Sequence, residues 1–145
     1  MEILVSTKGR TPSADICRMV LSEYSFSSER AEEYRGIISD VLERVRGGGY
    51  AQANGIPADI LAETEGADEV FCELPFCYHV GSAILHGVMD LVYLKGGVWH
   101  IVDYKTSADP DDLDAKYTEQ LRAYTEAFRA LTGNTADAVT YHIGI

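Results

Sequence analysis

Apolar positions recur three and four residues apart through the first 45 residues, then give way to strand-like runs after residue 65. Ile16, Met19 and Val20 fall on one face of a short helix running to Leu21, with Ser13 as its cap. Ile37, Ile38, Val41, Leu42 and Val45 mark a clearer helix, preceded by Ser27 or Ser28 and stopped by Gly47-Gly48-Gly49. Residues 50–65 read as a loop with a short helix around Ile60 and Leu61. Val70–Tyr78 is apolar and β-rich, and Pro75 within it predicts an edge strand or a bulge, because proline cannot donate to a ladder. Ser82–Leu94 and Val98–Thr106 are two further strands. Asp109-Pro110-Asp111 marks a loop. Leu113, Tyr117, Gln120, Leu121, Tyr124, Phe128 and Leu131 then lie along one stripe of a long helix that Gly133 ends, and Ala138–Ile143 closes as a last strand. The order helix, helix, three strands, helix, strand predicts an α/β fold.

The junction Lys95-Gly96-Gly97-Val98 sets a register. Two glycines between β-rich runs predict a two-residue hairpin turn, since both can take positive φ. Lys95 then pairs with Val98, and Asp90 lies across from Asp103, with Cβ atoms roughly 4.5–5.5 Å apart. Alternation places Lys105 on the face of Asp103. Val88, Met89, Leu91, Val92, Ile101 and Val102 around them are too apolar for an exposed face. Two opposed carboxylates in such surroundings repel and need a partner. A divalent cation resolves the conflict, and oxygen ligands suit Mg²⁺, with Mn²⁺ as a substitute. The plainer alternative is a surface Asp103–Lys105 ion pair with Asp90 in solvent. A one-residue slip would produce it.

Composition narrows the function classes. With 145 residues, 46% of them hydrophobic and 24% charged, the chain is expected to form one domain, 1–145, in which 1–65 is a helical lead-in and 66–145 the core. Twelve basic residues against 23 acidic ones give −11, which argues against a free-standing electrostatic nucleic-acid binder. Both halves are acidic, with seven basic and eleven acidic residues in 1–65 and five and twelve in 66–145. Three cysteines without a C-x-x-C pair, and no apolar run near the roughly 20 residues of a membrane span, predict a reduced, cytoplasmic setting without zinc, iron–sulfur or membrane contact.

Gly87-Val88-Met89-Asp90, Asp103-Tyr104-Lys105-Thr106 and Gln120-Leu121-Arg122-Ala123-Tyr124 resemble the G-x-x-D, D-Y-K-T and Q-x-x-x-Y series of the RecB/AddA-like branch of the PD-(D/E)XK nucleases. Glu73-Leu74-Pro75-Phe76 resembles the E-x-P-F strand that precedes it. The resemblance covers residues 70–145. It implies a restriction-endonuclease-like core, with a central mixed sheet of about four strands flanked by helices. It also implies a Mg²⁺-dependent DNA exonuclease domain of a helicase–nuclease that processes double-strand breaks, with DNA delivered by an attached helicase and no small-molecule cofactor. Carried over position by position, Asp90 and Asp103 hold the metal and the Tyr104 carbonyl completes its shell. Lys105 is the catalytic lysine, and Gln120 and Tyr124 lie beside the DNA. Two other readings stay open: a nuclease fold turned non-catalytic scaffold or DNA guide, and a stand-alone nuclease of phage or defence type.

One feature of that branch is missing. Its members carry a metal-site histidine on an N-terminal helix, whereas the four histidines here are His79, His86, His100 and His142. The expectation is a fragment that begins downstream of that helix and has little activity alone. His86, four residues before Asp90 and so on its face under strict alternation, is a substitute candidate beside its plainer reading as a hydrogen-bonded strand residue. Glu73 is a candidate for a second metal or simply an alternating polar residue. Tyr117 and Phe128 read as core. The acidic run from Asp109 to Asp114 lacks the glycine and terminal glutamate of a calcium loop and reads as a solvated loop.

Overall fold

A computed structural model describes residues 1–46, 59–105 and 114–142. The elements are α1 (Glu2–Ser6), α2 (Ser13–Ser22), α3 (Ser28–Arg46), α4 (Ile60–Glu65), β1 (Glu69–Val80), β2 (Ala83–Lys95), β3 (Val98–Lys105), α5 (Asp114–Thr132) and β4 (Ala136–His142). The strands form one sheet in the order β1-β2-β3-β4, antiparallel except for the parallel β3–β4 pair. α5 makes the connection that a parallel pair requires. The α/β class is as the chain's patterning predicts, and the four-stranded mixed sheet flanked by helices is as the resemblance implies.

The β2–β3 turn is the predicted one. Gly96 and Gly97 have φ of 59° and 78°, and Lys95 pairs with Val98. Ser27, not Ser28, caps α3 by accepting the Arg30 N–H at 3.4 Å. Ser13 does not cap α2. It is the first helical residue, and its hydroxyl donates to Glu43 at 2.7 Å on α3, tying the two helices together. Gly47–Gly49, most of the loop 50–65, Thr106 and Asp109–Leu113 lie outside the described residues.

Two apolar layers cover the sheet. On one face Leu91, Tyr93, Val102, Val139 and Tyr141 pack against Leu4 and Val5 of α1, Ile16 and Cys17 of α2, Leu42 and Val45 of α3 and Ile60 of α4. On the other, Met89, Val92 and Ile101 pack against Tyr124, Ala127 and Phe128 of α5. The predicted stripe of α5 holds through Phe128 but not at Leu131, which is 54% exposed. Val88 also departs from expectation: it is half-exposed, on a stretch of β2 that has no β3 neighbour. α1 has no counterpart in the sequence reading. Five residues rich in branched side chains carry little helical signal, and their burial against the sheet stabilises the turn.

β1 is an edge strand, as Pro75 suggests, but the distortion lies at Glu73, whose φ is 51°. The register is unchanged across it: Cys72 pairs with Leu91 and Leu74 with Met89, so no residue is inserted. Instead both strands exchange faces there. Val70 and Cys72 pack toward the α1–α4 layer, while Leu74, Phe76 and Tyr78 pack toward α5; likewise Leu91 faces the former and Met89 the latter. Glu73 and Asp90 are the two residues at the crossover.

Candidate active site

Beyond the pair Leu91–Val102, β2 and β3 separate, while β3 stays paired with β4 as far as Lys105. Asp90 and Asp103 flank that opening. The Tyr104 N–H, which a continued ladder would give to a β2 carbonyl, is donated to Asp90 Oδ2 at 2.8 Å. Asp103 is buried at 3% exposure, with Lys105 Nζ 2.6 Å from its Oδ2. The ammonium thus stands directly against an oxygen of the buried carboxylate. Burial raises the Asp103 pKa above the ordinary carboxylate value. Lys105 opposes that rise, and Asp90 adds to it.

Lys105 is held from α5. Its Nζ donates to Gln120 Oε1 at 3.1 Å and stands 4.3 Å from the centre of the Tyr117 ring. Gln120 Nε2 donates to the Tyr124 hydroxyl at 2.7 Å, and that hydroxyl donates to the Val88 carbonyl at 3.4 Å. The chain of bonds thus runs from the lysine on β3, through one face of α5, to the backbone of β2 two residues before Asp90. Gln120 and Tyr124, expected beside DNA, direct these polar ends toward Lys105 and the protein backbone. Tyr117, read from sequence as core, belongs to this group. Its spacing three residues before Gln120 on the same helical face is the signal that could have found it.

The Tyr104 side chain points to the opposite layer, where its ring meets Tyr141 edge-on at 6.2 Å. Its hydroxyl is buried without a hydrogen bond, and desolvation raises its pKa. A cavity of about 300 Å³ opens beside it, lined also by Asp90, Glu73, Glu2 and Glu23 and by Val20 of α2. Glu73 therefore shares a cavity with Asp90, as well as standing opposite it in the hairpin. His86 does not join the group. It is exposed, paired with Cys77 on the part of β2 beyond β3, and alternation cannot be carried from it through the face exchange at Asp90. His79 is exposed, and His100 stacks on Tyr93 at 4.7 Å. Glu2 and Glu23 carry no sequence signal, because only the packing of α1 and α2 brings them here.

Among the described residues no group of three His, Cys, Asp or Glu side chains is placed to hold a metal ion. The donor set nevertheless fits one hard cation. Two carboxylates flank one opening, and one of them is buried with a raised pKa. Mg²⁺ commonly takes one or two carboxylates and keeps several waters.

A family model described as the PD-(D/E)XK nuclease superfamily matches residues 14–144. A curated relative, a subunit of the ATP-dependent helicase/nuclease of Staphylococcus saprophyticus, is 32% identical over 66 residues, covering 38% of this chain and 5% of the relative. A solved structure, protein VC1899 from Vibrio cholerae, aligns over 96% of this chain and 41% of its own length, with 16% identity and a TM-score of 0.40. The chain thus spans a small part of the curated relative and under half of the solved one.

Proposed function

The chain belongs to the PD-(D/E)XK nuclease superfamily, and from that premise we propose that it is a Mg²⁺-dependent deoxyribonuclease domain of the RecB/AddA-like type, hydrolysing phosphodiester bonds at the opening between β2 and β3. The observation that carries the proposal is the meeting of Asp90, buried Asp103 and Lys105 at that opening, with the lysine held at 2.6 Å from Asp103 and 3.1 Å from Gln120. A core that served only as a scaffold gains nothing from burying one carboxylate, Asp103, beside the charge of a second.

Each residue then has a task. Asp90 and Asp103 would hold Mg²⁺ or Mn²⁺, with the Tyr104 carbonyl as a further oxygen. The ion, when bound, supplies a lowered pKa for water and positive charge against the scissile phosphate. Lys105 stabilises negative charge developing on the phosphate oxygens, and its fixed position avoids reorganisation during the reaction. Gln120, Tyr117 and Tyr124 are positioning residues for that ammonium. Exonucleolytic action, a role in double-strand break processing and delivery of DNA by a helicase are the finer parts of the same proposal. The helicase/nuclease name of the relative and the chain's net charge of −11 support the last of these, since so acidic a domain gains little affinity from phosphate contacts.

The test is Mg²⁺-dependent degradation of linear DNA by the full-length protein that carries this domain. Lys105→Ala and Asp103→Ala are expected to abolish cutting while circular dichroism stays unchanged. Undiminished cutting by folded Lys105→Ala would defeat the mechanism.

A further inference from the structure

The two sides of the sheet differ at the candidate site. Asp103 and Lys105 lie toward α5, where the lysine meets Gln120. The cavity of about 300 Å³ lies on the other side, walled by Glu2 and Ile3 of α1 and by Ile16 and Val20 of α2. Asp90 belongs to both sides: it accepts the Tyr104 N–H at the opening between β2 and β3, and it lines the cavity. Glu73 lines the cavity too, opposite Asp90 where the strands exchange faces. Such a cavity is wet. Glu2, Glu23, Glu73 and Asp90 keep their charges only if they stay hydrated. The volume is room for several waters, and the carboxylates offer the roughly two to four polar partners that an ordered water uses. Glu73 also holds its place against the preference of its backbone, since its φ of 51° disfavours any side chain.

We propose that this cavity supplies the water that hydrolysis consumes, and that Glu73 orients that water by accepting a hydrogen bond from it. This rests on the nuclease reading above and adds the source and the positioning of the nucleophile. Phosphoryl transfer sets the attacking and leaving oxygens roughly in line across phosphorus. A phosphate resting against the Lys105 ammonium takes up the α5 side, and its strand displaces solvent there. The cavity reaches Asp90 from the opposite side, which the strand leaves open. In the step, the water oxygen bonds to phosphorus and the bond from phosphorus to the leaving oxygen breaks. The proton lost by the water passes to solvent through the cavity, and the leaving oxygen takes one from solvent. Glu73 acts here on water and not on a metal ion. Among the described residues Glu73, Asp90 and Asp103 are not placed as a group of three metal ligands.

The experiment uses the full-length nuclease. Glu73→Gly removes the carboxylate and suits the backbone, so circular dichroism should show an unchanged fold. Its kcat should fall at least about tenfold with KM nearly unchanged, the mark of a group that acts on the transition state. Formate, small enough to enter the cavity, should restore part of that loss. Glu73→Gln keeps one acceptor oxygen and should lose less than Glu73→Gly. Val20→Phe, which fills the cavity from α2, should lower kcat in the same way. Two further readouts do not depend on turnover. Mn²⁺ should bind Glu73→Gly as it binds wild type in a calorimeter, and a crystal structure of the chain should show ordered water between the Glu73 and Asp90 carboxylates. Wild-type kcat in Glu73→Gly or Val20→Phe, no response to formate, or a dry cavity would each overturn the proposal. Loss of Mn²⁺ binding in Glu73→Gly would also overturn it, by making Glu73 a metal ligand. The nuclease reading is decided separately by Lys105→Ala: cutting lost there but kept in Glu73→Gly defeats the water supply alone.

Discussion

Asp90 Oδ2 accepts the backbone N–H of Tyr104 at 2.8 Å, so a carboxylate on β2 takes the place of a strand partner for β3. The bond holds the two strands at a fixed distance just where their ladder stops. It also fixes one oxygen of Asp90 beside the buried carboxylate of Asp103.

The first prediction concerns metal. Titrating the chain with Mn²⁺ in a calorimeter should reveal one weak site, weak because among the described residues two carboxylates and a carbonyl are the protein donors proposed. Asp90→Asn combined with Asp103→Asn should remove the heat. Equal binding by the double variant would place the ion elsewhere.

A second prediction follows from the raised pKa of Asp103. An acid whose folded pKa lies above its unfolded one binds protons more tightly when folded. Stability therefore falls as pH rises from the ordinary carboxylate value through the raised one. The rise is what remains after the opposing effect of Lys105. Asp103→Asn should therefore raise the melting temperature in chelator at pH 7, and the gain should vanish toward pH 3. A fall at pH 7 would mean that attraction to Lys105 outweighs the cost of burying the Asp103 charge.

The third prediction separates positioning from folding. Gln120→Leu keeps the bulk of the side chain but frees the Lys105 ammonium. In the full-length nuclease, kcat should fall on the order of ten- to a hundredfold with KM nearly unchanged, because the lost interaction acts on the transition state. A rise in KM alone would instead assign Gln120 to DNA binding.

Glu73 provides the fourth. Its φ of 51° costs a side-chain-bearing residue about 1–2 kcal/mol. Glu73→Gly relieves this but adds about 0.5–1 kcal/mol of backbone entropy, so its chemical denaturation midpoint should match or slightly exceed wild type. Glu73→Val, β-branched at positive φ, should be destabilised by more than about 1 kcal/mol. The reverse order would mean that the Glu73 carboxylate, rather than the backbone, governs the position.

Local rules determined much of this protein from its sequence alone. The glycine pair at 96–97 fixed the hairpin, the hairpin fixed which residues face one another, and helical spacing placed Gln120 and Tyr124 on one side of α5. These readings rest on neighbours within a strand or a turn, where steric limits on φ and the period of side chains leave few choices. Tertiary structure decided the rest. Strict alternation could not foresee that β1 and β2 exchange faces at Glu73 and Asp90, because that exchange answers to two apolar layers on opposite sides of the sheet. Nor could it foresee α1, a five-residue helix ordered by burial of Leu4 and Val5. Glu2 and Glu23 reach the cavity of Asp90 only through packing of elements distant in the chain. Resemblance alone assigns the polar ends of Gln120 and Tyr124 to DNA; in the fold they reach Lys105 and Val88, since a helix packed on the sheet brings them within hydrogen-bonding distance first.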